Sequence, residues 1–233
     1  MSIKGLQPAG VQVLAFNRVV VCCPVGSSSV VFLVFPLVSF PHRFNRSYLM
    51  AHIAVVYHSG YGHTQRLAQA VAEGAGAQLV AIDAEGNLPE GGWETLAAAS
   101  AIIFGSPTYM AGPSWQFKKF ADASSKPWFS QAWKDKLFAG FTNSASTNGD
   151  KQITLDYMFH LAMQHGGIWV GNGMMPANSK AATRNDVNWI GSFSGAMSQS
   201  PSDASAAEMF PGDLETGKQF GQRVADVARR LSR

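Results

Sequence analysis

Three short segments of this 233-residue chain concentrate side chains suited to holding a polar ligand. Ser59-Gly60-Tyr61-Gly62-His63-Thr64 follows a short apolar run and leads into a helical pattern. Pro107-Thr108-Tyr109-Met110-Ala111-Gly112 combines a fixed turn with flat, polarizable groups. Asn143-Ser144-Ala145-Ser146-Thr147-Asn148-Gly149 is a run of small hydroxyl and amide residues. No nucleophile–base dyad accompanies them. Gly191-Ser192-Phe193-Ser194-Gly195 lacks the central serine of a nucleophile elbow, so a hydrolase fits poorly.

The first segment is built to meet an anion. A helix that opens there presents free N–H groups and the positive end of its dipole. Gly60 and Gly62 allow close backbone approach, and the hydroxyls of Ser59 and Thr64 can donate to phosphate oxygens. Each such bond to a charged group is worth roughly 1.5–3 kcal/mol. The P-loop pattern fails because no lysine is near, and a dinucleotide fingerprint fails at Gln65. Taken alone, the segment also reads as a tight turn capped by Thr64. Tyr109, with Trp128 a helix later, suits a planar heteroaromatic ring, although each singly also reads as a core or surface aromatic. The third segment suits a sugar chain and a carbonyl-rich ring edge. Together the three point to flavin mononucleotide (FMN).

The elements that must position these loops alternate. Apolar, β-branched runs at 52–59, 78–82, 101–106, 137–142 and 167–171 predict five strands. Helical spacing predicts helices over 64–75, 93–99, 114–123 (capped by Ser114) and 214–231. A further helix carries Leu155, Met158, Phe159 and Ala162 and stops at Gly166 and Gly167. Continuous apolar strands alternating with helices predict an α/β doubly wound parallel sheet of order 2-1-3-4-5, covered on both faces. In such sheets ligands lie beyond the carboxyl ends of the strands, where all three segments fall. Residues 172–212 show no clear periodicity and read as a lid or interface segment.

Composition narrows the class. Only 14% of residues are charged, against roughly a quarter in an ordinary domain, so loops are solvated by small neutral groups. Residues 1–49 carry +4 with no acid, whereas the rest holds 14 basic and 15 acidic residues. No basic run or zinc-finger spacing points to nucleic acid. Cys22 and Cys23 are adjacent and alone, which excludes a disulfide framework and a thiolate metal site beyond them. That suits a reducing, cytoplasmic setting. Residues 1–49 read as an extension outside the fold. An alternative start at Met50, a targeting segment and a membrane anchor over the uncharged 19–42 stretch all remain open.

The segments IAVVYHSGYGHTQRLAQAVAEGA and AIIFGSPTYMAG, with Trp128, resemble the flavodoxin-like NAD(P)H:quinone oxidoreductases of the Trp-repressor-binding-protein (WrbA) type. The likeness runs from about Ala51 to Arg233. It implies a five-stranded flavodoxin-like fold, non-covalent FMN, two-electron reduction of a quinone by NADH or NADPH, and a homo-oligomer. Carried over by position, Ser59 to Thr64 would hold the phosphate. Pro107, Thr108 and Tyr109 would line the ring, and Asn143, Ser144, Ala145, Ser146, Thr147 and Asn148 would meet the ring and ribityl chain. His165 matches a family histidine near the flavin, and Trp128 a tryptophan near the acceptor. His165 equally reads as a cation at a helix C-terminus. Tyr61 and His165 are the candidate proton donors to the acceptor.

This chain departs from the family at three points. NSASTNGD stands where a glycine-rich run is usual, Tyr109 where an arginine is frequent, and the stretch after the second strand is shorter. Two rivals stand beside the quinone reductase: a flavodoxin-type electron carrier and a non-enzymatic FMN-binding protein. Carriers are usually strongly acidic, and the near-neutral residues after 49 argue against one.

Overall fold

The computed structural model describes residues 51–231. The expectations for residues 1–49 lie outside the described residues. Strand β1 (Ile53–His58) pairs in parallel with β2 (Gln78–Ile82) on one side and β3 (Ala101–Tyr109) on the other. β3 pairs with β5 (Leu137–Ser144), and β5 with β6 (Ile168–Trp169), giving the order β2-β1-β3-β5-β6. Counted over these five strands, this is the doubly wound order 2-1-3-4-5 expected from the sequence.

Alternation along the strands divides the core in two. Ile53, Val55, Tyr57, Ile103 and Phe141 face α1 (His63–Ala75) and α6 (Pro211–Leu231). Ala54, Val56, Ile102, Phe104 and Phe138 face α2 (Gly92–Ala98), α3 (Trp115–Ala123) and α5 (Lys151–Gln164). Ser114 caps α3 as expected, its hydroxyl accepting from the Phe117 N–H at 3.3 Å. α5 stops at Gly166, whose φ of +69° takes the left-handed turn that ends helices.

Three differences from the sequence reading bear on the site. β3 runs on through Pro107, Thr108 and Tyr109, then folds back through a two-residue turn into β4 (Gly112–Pro113). These residues are therefore strand, not loop. A short helix α4 (Ser125–Phe129) follows α3. The edge strand is split, for after β6 the chain leaves the sheet and returns as β7 (Ala196–Gln199). β7 pairs in parallel with Phe141–Ser144. The excursion over 171–195 is tied down by Asn188, whose Nδ2 donates to the Met174 and Ser192 carbonyls.

α1 and α6 pack backbone against backbone at Gly221. A β-carbon there would stand 2.0 Å from the Val71 carbonyl oxygen, in a contact that cannot yield. Gly221→Ala should lower stability by about 1–3 kcal/mol or more through overpacking. Helix propensity alone would raise it by about 1 kcal/mol. The sign of the shift in urea midpoint decides between them.

Candidate functional site

A cleft of about 610 Å³ opens at the carboxyl ends of the strands, within the range of small-ligand sites. Ser59, Tyr61, His63, Thr64, Pro107, Thr108, Tyr109, Asn143, Ser144 and Ala145 line it, so all three segments meet on one rim. The sequence reading missed its fourth wall, Ser200, Pro201, Ser202 and Ala204, which follows β7. Among the described residues, no lysine, arginine, aspartate or glutamate lines the cleft.

The first segment winds tightly into α1. The Ser59 hydroxyl accepts from the Gly62 N–H at 3.1 Å and keeps its own proton to donate. Gly62, with φ +89°, is the helix N-cap and supplies no side chain, so Thr64 is not the cap. Thr64 is buried inside the first turn. The first N–H to bond back is that of Arg66, to the Gly62 carbonyl at 2.9 Å. The preceding amides of the turn have no partner within the helix and stand at its positive end. The His63 ring, through Nε2 at 2.8 Å from the Ala204 carbonyl, ties this turn to the fourth wall.

Tyr109 leans across the opening. Its hydroxyl lies over Gly60, where a β-carbon would be 2.7 Å away, and its ring meets Tyr61 edge-on at 6.1 Å. Burial is the main cause that raises the Tyr109 phenol above its ordinary value. Tyr61 is 80% exposed, so the mouth is aromatic and open. Deeper in, the Thr108 hydroxyl is committed to Thr142 (2.8 Å) and Thr154 (2.7 Å), so it braces the cleft wall from behind. Asn143 is set by Ser198 and Ser200, whose hydroxyls both donate to its Oδ1 at 2.7 and 3.0 Å. Its Nδ2 donors are thereby left for a carbonyl-bearing ligand.

The third segment is held from behind. Lys151 is fully buried, and its Nζ donates to Ser144 Oγ (2.9 Å) and to the carbonyls of Ser146 (2.6 Å) and Thr147 (2.8 Å). Burial pulls its ammonium down from 10.5 to about 8. A lysine at the start of a helix reads in sequence as a solvated surface group, so nothing signalled this role. Ser146, Thr147 and Asn148 lie exposed in the turn beyond the cleft wall.

His165 and Trp128 are not part of this rim. His165 caps the C-terminus of α5, where its ring packs on Trp133 at 4.5 Å and near Phe138 at 6.3 Å. Phe138 pairs with Trp169 and Ile102 near the amino end of β5, the far end of the sheet. Trp128 stands on α4, after α3 has run from the cleft end to the Ser124–His165 contact at 2.9 Å. Neither can reach a ligand in the cleft of its own chain. No group of metal-ligating side chains occurs among the described residues. No helix among them is long and apolar enough to cross a membrane.

The family described as NADPH-dependent FMN reductase matches residues 92–182. "Flavodoxin FldP" of Pseudomonas aeruginosa is 58% identical over 182 residues, covering 78% of this chain and 99% of the relative. An "NAD(P)H dehydrogenase (quinone)" of Geotalea uraniireducens is 32% identical over 207 residues, with 78% and 99% covered. A solved structure, a flavodoxin, WrbA-like protein from Agrobacterium tumefaciens, is 59% identical with a TM-score of 0.63. That match covers 77% of this chain and 98% of the other.

His165 makes an acid-stability prediction. Ser124 Oγ donates to the Ala121 carbonyl at 2.6 Å and so accepts from His165 Nε2–H, leaving Nδ1 buried without a partner. Protonation would add a donor there with nothing to receive it, and burial pushes the imidazole down to about 4. The stabilising contribution of the neutral ring is complete above about pH 6.5 and is lost as pH falls toward 4. His58, lowered by burial too, acts in the same direction. His165→Gln should therefore reduce, not abolish, the fall in urea midpoint between pH 7 and pH 4.5. An undiminished fall would remove His165 from the account.

Proposed function

As the chain belongs to the WrbA-like family of flavodoxin-like flavoproteins, we propose that it is an FMN-dependent oxidoreductase carrying two electrons from NAD(P)H to quinones. The observation that supports it is the cleft, an uncharged hydroxyl- and amide-lined site on a helix N-terminus, with an aromatic mouth. That donor set fits FMN. The α1 turn with Ser59 and Thr64 would bind the phosphate without a cationic side chain. The Asn143 amide would bond a ring carbonyl, and the backbone of Pro107 and Thr108 would border the ring.

Bound FMN would supply the hydride chemistry, the protein contributing binding, orientation and electrostatics. Tyr61 and Tyr109, packed edge to face, offer aromatic faces against which a nicotinamide or quinone ring could pack at the open mouth. Openness and the lack of charged lining favour a broad range of small quinones. Tyr61 stands where a phenol could protonate a quinone oxygen, and His165 does not.

One observation favours a second reading: the relative at 58% identity is called a flavodoxin, the name of one-electron carriers. Turnover separates the two. Purified protein with bound FMN should bleach promptly with anaerobic NADH or NADPH and reoxidise with benzoquinone, cycle after cycle. Flavin that neither nucleotide bleaches would overturn the quinone-reductase reading in favour of a carrier or a non-enzymatic FMN-binding protein.

The phosphate position carries its own prediction. Ser59→Ala with Thr64→Val should leave the fold intact and weaken FMN binding by about 100-fold or more, from two charge-assisted bonds. Titration by quenching of FMN fluorescence measures it. Unchanged affinity would place the phosphate elsewhere.

A further inference from the structure

We propose that Lys151 is the positioning residue of the flavin site, holding the Ser144–Ala145 wall of the cleft in its binding shape and setting one positive charge behind it that favours reduced over oxidised flavin. This rests on the FMN reading of the cleft. The 144–148 loop is wound around the ammonium: Nζ bonds Ser144 Oγ and the Ser146 and Thr147 carbonyls, and Ser144 Oγ donates in turn to Ser146 O at 3.1 Å. Backbone at Gly149 and Asp150, with φ of +54° and +52°, turns tightly to bring Lys151 into place. Asp150 takes this left-handed conformation without being glycine, a cost the lysine contacts offset.

The charge is not cancelled nearby. The charged groups facing Lys151 are Asp213 of α6 and Arg184 of the excursion. These two pair with each other, Arg184 Nη1 and Nη2 donating to the two Asp213 carboxylate oxygens at 2.9 and 2.6 Å. Among the described residues Lys151 forms no ion pair of its own. Dipoles alone solvate it, so its field reaches the cleft through Ser144, which lines the wall. Oxidised flavin ring is neutral and two-electron reduction with one proton leaves it anionic. A buried cation behind the cleft wall therefore discriminates between the two states, and charge near the ring tunes its potential.

The test compares wild type with Lys151→Met and Lys151→Arg. Wild type must first take up FMN; if it does not, the flavin reading fails and this one with it. With FMN bound, Lys151→Met should weaken oxidised FMN at least tenfold by fluorescence titration. It should also lower the reduced-to-oxidised affinity ratio a further tenfold, a midpoint potential about 30 mV lower for the two-electron couple. Lys151→Arg should keep the wild-type potential. A merely structural lysine would weaken both redox states alike, and an unchanged potential in Lys151→Met overturns the proposal. Should that variant fail to fold or bind, the wild-type potential decides alone. Its fall with pH should steepen above about pH 8 as the ammonium deprotonates, and a line of unbroken slope overturns the proposal.

Discussion

A fully buried strand must pair its backbone polar groups, and β5 is buried along all eight of its residues. One side is satisfied by β3 over the register Ala101↔Leu137 to Pro107↔Asn143. The other side needs a partner of equal length, yet β6 supplies only Ile168 and Trp169. The chain can wander over 171–195 only if it comes back, and β7 is that return. Everything distinctive about the cleft depends on it. β7 delivers Ser198 and Ser200 to Asn143, and the turn that follows builds the wall that His63 holds.

The strands, their order and the Ser114 cap were legible because apolar periodicity and a capping hydroxyl are local signals. The three segments were legible as one rim because parallel topology sends every strand end to the same side. What was not legible had physical reasons. Pro107 lacks an N–H and looks like a terminator, but β3 carries it with its carbonyl engaged by the neighbouring Ser106 hydroxyl. β7 is short and half polar, so no alternation betrays it. His165 and Trp128 were placed by likeness, whereas topology puts them away from the cleft of their own chain. A helix joining two parallel strands starts at the carboxyl rim and must finish at the amino rim.

The buried Lys151 and the half-buried Lys136 are handled in one consistent manner. Lys136 reaches the C-terminal carbonyls of α2, at Leu96, Ala97 and Ala99, as Lys151 reaches those of the third loop. Both ammonium groups gather carbonyl oxygens that a turn or helix end has left over. Burial lowers the pKa of both. Arg184 differs: it pairs with the nearly inaccessible Asp213 and stacks on Phe210, 3.8 Å from the ring centroid. Lys151 and the Arg184–Asp213 pair thus sit behind the cleft wall, while its lining stays uncharged.

The split edge strand has a consequence for the molecule among its neighbours. Six continuous residues of unpaired edge would be a template on which a second sheet could grow. Here the border next to β5 consists of two residues and then four, separated by an excursion pinned through Asn188 and Arg184. No straight run long enough to recruit a foreign strand is left on that side. The same detour that furnishes a wall of the cleft leaves that border too interrupted to template other sheets.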